Sequence, residues 1–272
     1  MNVIKLLSTR PYSVSELKDD VPSENNIVMV CSDMVVKLDG KIIAVYKKAD
    51  FDLEQVRAAA VNMEYSSYVR TNGLITQTEG INSIPRNPRR TNKCSRTKLR
   101  VSQPELHQMF LDLAKQLAKA YREYFPGAYA QQVKALHVGT KKVHEDYRIR
   151  YTPFTGGVVN KDSQLGFHRD NANTPDGISC MLCLKKGMAG GGLVLPELGI
   201  GFECQDGYML LFDGQKYIHG VTPFIPLPGR EAYRITIVFY NSKGMELCLP
   251  LEQEELFYRH QLELKSGLTF EE

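Results

Sequence analysis

No run of apolar residues in the sequence approaches the roughly twenty needed to cross a bilayer, and Met1–Tyr12 lacks the long apolar core of a secretion signal. A membrane partner is therefore not expected. A cysteine framework is also missing: the six cysteines stand at 31, 94, 180, 183, 204 and 248 without regular spacing, which points to a reducing compartment rather than to a disulfide-stapled scaffold. There is no internal repeat and no low-complexity segment. Acidic residues are absent from Gly80 to Pro104, where Arg86, Arg89, Arg90, Lys93, Arg96, Lys98 and Arg100 are all basic. Such a tract attracts phosphates and releases counterions, although neighbours in space can also balance it.

What is present is ample for a globular protein. The 272 residues are 43% hydrophobic with a formal net charge of +3, enough for one large buried core. Ile27–Val36 and Lys41–Lys47 read as strands joined by Asp39-Gly40, a hairpin turn pair. Asp50–Met63 reads as a helix with an aspartate available to cap it. These elements, residues 1–70, are expected as an N-terminal appendage to a domain over 71–272. Thr71–Arg100, with Gly73, Gly80, Pro85 and Pro88, reads as a long loop. A helix is expected to start with Ser102 as cap, Pro104 in the first turn and Glu105 completing a capping box, and to end before Pro126-Gly127. Tyr129–Val138 reads as a further short helix and Leu251–Leu264 as a terminal one.

From Tyr147 onward short strands dominate, at about 147–159, 165–171, 177–185, 191–195, 207–213, 217–222 and 233–240. The expected class is α+β: a double-stranded β-helix, the jelly-roll barrel of cupin-like proteins, with the preceding helices packed on its sheet. Cys180 and Cys183, three apart on a strand, should point to opposite faces and not chelate. Gly190-Gly191-Gly192 lacks the lysine and serine of a phosphate loop and reads as a bend.

The chemistry gathers around Leu165-Gly166-Phe167-His168-Arg169-Asp170. On an extended strand His168 and Asp170 share a face, and a metal there needs a third protein ligand from elsewhere. His219, beside Gly220 at a strand end, is the best candidate, because two histidines and one carboxylate with open positions form the facial set of non-haem Fe(II) oxygenases. His107, His137, His144 and His260 have no partner motif. Arg234 opens the apolar run Tyr233–Tyr240, and an arginine turned into a barrel needs an anion. The co-substrate 2-oxoglutarate supplies one: its keto acid end would chelate iron and its far carboxylate would meet Arg234, with Thr236 on the same face adding a hydroxyl. Arg230, in the Pro228-Gly229 loop, is the weaker competitor.

Phe154-Thr155-Gly156-Gly157-Val158-Val159-Asn160, Gly166–Asp170, Gly190–Gly199, His219 and Arg234 together resemble the TET/JBP group of Fe(II)/2-oxoglutarate dioxygenases, over a core of about 145–245. The resemblance implies oxidation of the 5-methyl group of thymine or 5-methylcytosine in nucleic acid, with release of succinate and CO2. It also implies a role for Asn160 toward the co-substrate or a flipped base, while Asn171 and Asn173, next to the iron ligands, are candidates to face a pyrimidine edge. In that setting Arg86, Arg89 and Arg90 become candidate backbone contacts, with DNA as the expected partner and RNA as its alternative, alongside O2. A monomer acting inside the cell, in the nucleus of a eukaryote, is the corresponding expectation. Two readings stay open beside it: a hydroxylase of the same superfamily acting on a small molecule or protein side chain, and a degenerate barrel that only binds.

Overall fold

The computed structural model describes residues 1–69, 75–87, 92–138 and 142–266. Sixteen strands are present among them: β1 (Asn2–Leu6), β2 (Val28–Val30), β3 (Met34–Leu38), β4 (Lys41–Lys48), β5 (Ser66–Val69), β6 (Ile75–Ile84), β7 (Ser95–Arg96), β8 (Gly156–Lys161), β9 (Ser179–Lys186), β10 (Met188–Gly190), β11 (Leu193–Leu195), β12 (Ile200–Phe202), β13 (Tyr208–Phe212), β14 (Gly220–Val221), β15 (Phe224–Pro226) and β16 (Tyr233–Tyr240). The helices are α1 (Glu54–Asn62), α2 (Lys98–Ser102), α3 (Pro104–Tyr124), α4 (Pro126–His137) and α5 (Leu251–Ser266). None is long and apolar enough to cross a membrane among the described residues.

The major sheet has the order β1-β3-β4-β13-β9-β16-β8-β6-β5, with β7 on β6, and a four-stranded sheet β14-β11-β12-β2 accompanies it. The α+β class and the jelly-roll core are as the strand pattern suggested. The central strands alternate cleanly. Cys180, Leu182 and Leu184 of β9, and Tyr233, Ile235, Ile237 and Phe239 of β16, join one core with α1 and α3. Met181 and Cys183 of β9 and Leu210 and Phe212 of β13 join the second core with β11 and β12. Cys180 and Cys183 thus occupy different cores, as a period of two requires. Helix α3 buries Phe110, Leu113, Leu117 and Tyr121 against the sheet, each worth about 1.5–3 kcal/mol if Leu- or Phe-sized.

Several local expectations are corrected. The hairpin β3–β4 extends the major sheet beyond β13 and β2 pairs with β12, so the N-terminal segment completes both sheets rather than standing apart. The expected loop at 71–100 contains β6, an inner strand paired with β8 throughout Gln77–Asn82. Its polar side chains hide it: Asn82, 2% exposed, donates to the carbonyls of Tyr147 and Thr155, and Glu79 accepts from the Ser66 hydroxyl. Ser102 does not cap α3. Its hydroxyl donates back to the carbonyl of Lys98, the first residue of α2, and Gln103 precedes α3 without a side-chain cap. Cys94 and Cys248, 154 residues apart, form a disulfide, which the irregular cysteine spacing, read as pointing to a reducing compartment, did not lead one to expect. The expected strand at 147–159 begins only at Gly156, after a turn in which Tyr151 has φ +65°.

Candidate active site

The segment 165–171 is not a strand. His168 and His219 instead hold each other through reciprocal backbone bonds, His168 N–H to the His219 carbonyl at 2.9 Å and His219 N–H to the His168 carbonyl at 3.0 Å. Val221 N–H to the Leu165 carbonyl at 2.8 Å and Asp170 N–H to the Gly214 carbonyl at 2.9 Å extend the clasp. The chain then turns at Asn171, whose N–H reaches the Arg169 carbonyl. Glu197 links the same two segments from outside: one oxygen accepts from Arg169 at 2.6 Å and the other from the Ile218 N–H at 2.7 Å. Nothing in the spacing pointed to Glu197; its role follows from tertiary placement alone.

Each imidazole is oriented by its own backbone. His168 Nδ1 lies 2.8 Å from the Gly166 carbonyl and His219 Nδ1 3.0 Å from the Tyr217 carbonyl, so Nδ1 carries the proton and Nε2 is left as a ligand atom. Both Nε2 atoms face Asp170 Oδ1, at 3.6 and 3.7 Å. The ligand atoms of the three residues all fall within 4.8 Å of one another. Burial, with the His168 ring beside it, pushes His219 down to about 3, and burial raises Asp170 above the usual carboxylate range. A neutral imidazole is the form a metal takes, and a carboxylate whose charge burial makes costly is one that a cation relieves.

The cavity beside these residues has a volume of about 340 Å³. Arg234, 2% exposed, lines it. Its Nε donates to the Gly191 carbonyl at 2.8 Å, while Nη2 is buried with no partner among the described residues. The triple glycine is indeed a bend, between β10 and β11, with Gly191 at φ +77°; a Cβ there would sit 2.7 Å from Arg234 Cδ. Glycine is thus needed both for the backbone and for the arginine's path, a coupling the sequence reading missed. Thr236 is buried two residues along the same face, and cross-strand register lines it up with Asn160 on β8 and Thr78 on β6. All three line the cavity, together with Tyr240. Thr78 was lost with the misread loop.

The remaining candidates separate. Asn171 is exposed and lines the cavity. Asn173 is buried, and its Nδ2 donates to Ser179 Oγ at 3.0 Å and to Asp170 Oδ2 at 3.4 Å, so its amide N–H steadies the ligand carboxylate. Arg86, expected on a substrate backbone, is tied instead to the buried Glu254 of α5 and lies 4.4 Å over the Phe257 ring. Lys93 and Lys98 are likewise paired, with Glu255 and Glu64. These carboxylates balance Arg86, Lys93 and Lys98, whereas Arg100 donates to the Asn82 amide oxygen and the Asp146 carbonyl, and Arg89 and Arg90 lie outside the described residues.

Residues 83–243 match the Tet_JBP family, the oxygenase domain of the 2OGFeDO superfamily. The chain belongs to this family. Among its relatives, the thymine dioxygenase JBP1 of Leishmania infantum is 26% identical over 147 residues, 54% of this chain and 17% of the relative. That of Crithidia fasciculata is 26% identical over 129 residues, 47% of this chain and 15% of the relative. The chain therefore spans about a sixth of the length of these relatives. NgTET1, solved in complex with 5mC DNA, superposes with a TM-score of 0.61 at 13% identity, covering 94% of this chain and 89% of that one. A 2OG-Fe(II) oxygenase family oxidoreductase from Burkholderia pseudomallei gives 0.50 at 16% identity, with 73% and 85% covered.

Fe(II) and 2-oxoglutarate are the cofactor and co-substrate of this superfamily, and the Tet_JBP chain fits both. Two neutral Nε2 atoms and a carboxylate oxygen on one side of the cavity are a donor set for Fe(II), and the orphaned Arg234 Nη2 suits a carboxylate. Gly214 gives a direct test of how tightly that set is built. A Cβ at Gly214 would lie 2.4 Å from Asp170 Oδ2 and 3.2 Å from Ser179 Oγ, so Gly214→Ala must rotate the carboxylate off the shared face. The expected result is a folded protein with Fe(II) affinity lowered by about 10–100-fold, measured by metal titration; unchanged affinity would show that Asp170 tolerates a second orientation.

Proposed function

We propose that this chain is a dioxygenase that hydroxylates the 5-methyl group of a pyrimidine, thymine or 5-methylcytosine, in nucleic acid. His168, Asp170 and His219 would hold Fe(II) through the two Nε2 atoms and Asp170 Oδ1, and Arg234 would clamp 2-oxoglutarate. The observation that supports this reading most is one cavity holding both a facial donor set and an orphaned buried guanidinium, in a family whose relatives include thymine dioxygenases.

When bound, iron and 2-oxoglutarate would supply, with O2, the oxidising chemistry that converts a methyl C–H to C–OH, one oxygen atom of O2 entering the hydroxyl and the other the succinate formed as CO2 leaves. The chain's own residues do the positioning. Arg234 Nη2, unpaired at 2% exposure, offers a charge-assisted bond to the far carboxylate of 2-oxoglutarate. Thr236, Asn160 and Thr78 present a polar row beside it. Val158, Met181, Leu193, Phe212 and Val221 give the cavity apolar walls that exclude water. A base inside a duplex cannot enter this space, so it must be flipped out at a cost of a few kcal/mol. With Asn173 Nδ2 spent on Ser179 and Asp170, its Oδ1 and the exposed Asn171 are the amide groups left for the base edge. A nucleic-acid substrate places the protein inside the cell, in the nucleus of a eukaryote.

The test is mass spectrometry of nucleosides after incubating the protein with Fe(II), ascorbate, 2-oxoglutarate and DNA containing thymine and 5-methylcytosine. A gain of one oxygen on either base is expected and names the substrate. Succinate formation with every DNA and RNA nucleoside unchanged would move the substrate to small molecules or protein side chains.

A further inference from the structure

A second cavity, of about 600 Å³, shares no lining residue with the iron cavity. It is framed by Asn82 of β6, Arg100 of α2, His107 and Lys115 of α3, and the segment 145–151. Among the described residues, its arginines lack the carboxylate partners that half-buried charges ordinarily have. Arg100 donates only to neutral acceptors, the Asn82 amide oxygen at 3.0 Å and the Asp146 carbonyl at 2.7 Å. Arg148 sets one guanidinium nitrogen against the His137 ring, and its Nε is buried with no partner among the described residues. His107, 7% exposed, likewise has an unpartnered Nε2. Arg150 lines the same space from the exposed side.

The two carboxylates of the lining form no direct ion pair with these arginines among the described residues. Asp146 turns its carboxylate to the His144 ring at 3.0 Å and the Leu251 N–H at 3.1 Å, and Glu145 is exposed. Lys115 alone has an acidic partner, Asp112 at 2.8 Å. Burial and Arg96 pull Arg100 down against the opposing pull of Asp146 and Tyr147, and burial and Arg100 push His107 down to about 4. Tyr151, also in the lining, is 85% exposed and held at φ +65°, a conformation that costs a bulky residue energy. The backbone thus presents an aromatic ring to solvent beside the cations.

We propose that this cavity binds a phosphate-bearing nucleotide, its phosphate on Arg100, Arg148 and His107 and its base stacked on Tyr151. Guanidinium forks match phosphate oxygens. The volume exceeds what a bare anion fills, and an exposed ring next to cations suits a nucleobase. The phosphate comes either from a free nucleotide or from the backbone of a nucleic-acid strand.

The sequence contains no tryptophan, so Tyr151→Trp in the full chain places a single, selectively excitable tryptophan at the cavity rim. Titration without iron uses inorganic phosphate, adenosine 5′-monophosphate and a short adenine oligonucleotide, none of which carries a methylpyrimidine. A saturable emission change with the monophosphate, displaced by inorganic phosphate, is the result expected for a free nucleotide. A change with the oligonucleotide alone assigns the strand backbone. In either case adding Arg148→Gln, or the exposed Arg150→Gln, should weaken binding by about tenfold or more, with thermal melting confirming that each variant is folded. No saturable change with any probe, or equal affinity in both charge variants, overturns the proposal.

Discussion

Replacing Asp170 with alanine is expected to abolish succinate formation and Fe(II) binding while leaving the fold intact. Asp170 is the one anionic ligand of the proposed set, and its Oδ1 is the atom both Nε2 groups face, at 3.6 and 3.7 Å. Without it, two neutral imidazoles remain, which hold a divalent ion weakly and provide no compensating charge. The fold should tolerate the loss because burial already makes the carboxylate costly, and because Asn173 keeps its bond to Ser179 Oγ at 3.0 Å. Two measurements decide the point together. Fe(II) or Co(II) titration reads the metal set, and the melting temperature of the metal-free protein reads the fold. Full turnover in the variant would remove Asp170 from the site, whereas loss of turnover with a collapsed melting temperature would mean that the side chain is structural.

How far the site was legible in the sequence depends on which physical signal each residue leaves. His168, Asp170 and His219 could be named because few other uses explain that residue set in that order, and Arg234 because a guanidinium in an apolar β-branched strand demands an anion. The reason given for the first pair was nevertheless wrong in detail. His168 and Asp170 meet on one side because reciprocal bonds to His219 and the bond to Gly214 hold a bent segment, not because they alternate along a strand. Thr78 was invisible because β6 is an inner strand whose polar residues find partners from distant segments, as Asn82 does at the Tyr147 and Thr155 carbonyls. Hydrophobic periodicity records burial only of apolar side chains. Arg86 failed for the opposite reason. Linear charge clusters ignore what folds back, and Glu254 and Glu255 arrive from more than 150 positions away, the separation of Lys93 from Glu255 being 162. The Cys94–Cys248 bond, spanning 154 residues, was beyond any spacing argument for the same reason.

Arg234→Leu carries the second large effect, and it separates binding from chemistry. The guanidinium is 2% exposed, with one bond to the Gly191 carbonyl and Nη2 without a partner among the described residues, an arrangement that costs stability unless an anion meets it. Leucine removes that cost, so the variant without co-substrate should melt at the same temperature as the parent or higher. Co-substrate affinity should move the other way. Truncating one partner of a buried charge pair costs roughly 2–5 kcal/mol, a loss of about thirtyfold or more in affinity, seen as a rise in KM for 2-oxoglutarate. The melting experiment gives a reading independent of turnover. A ligand at about a hundred times its Kd stabilises a folded protein by about 2.7 kcal/mol, so 2-oxoglutarate added to the Mn(II)-loaded protein should raise the melting temperature of the parent and raise that of Arg234→Leu by about a third as much or less. Equal stabilisation of both proteins would mean that the far carboxylate is held elsewhere. The polar row Thr78, Asn160 and Thr236 would then be the place to look.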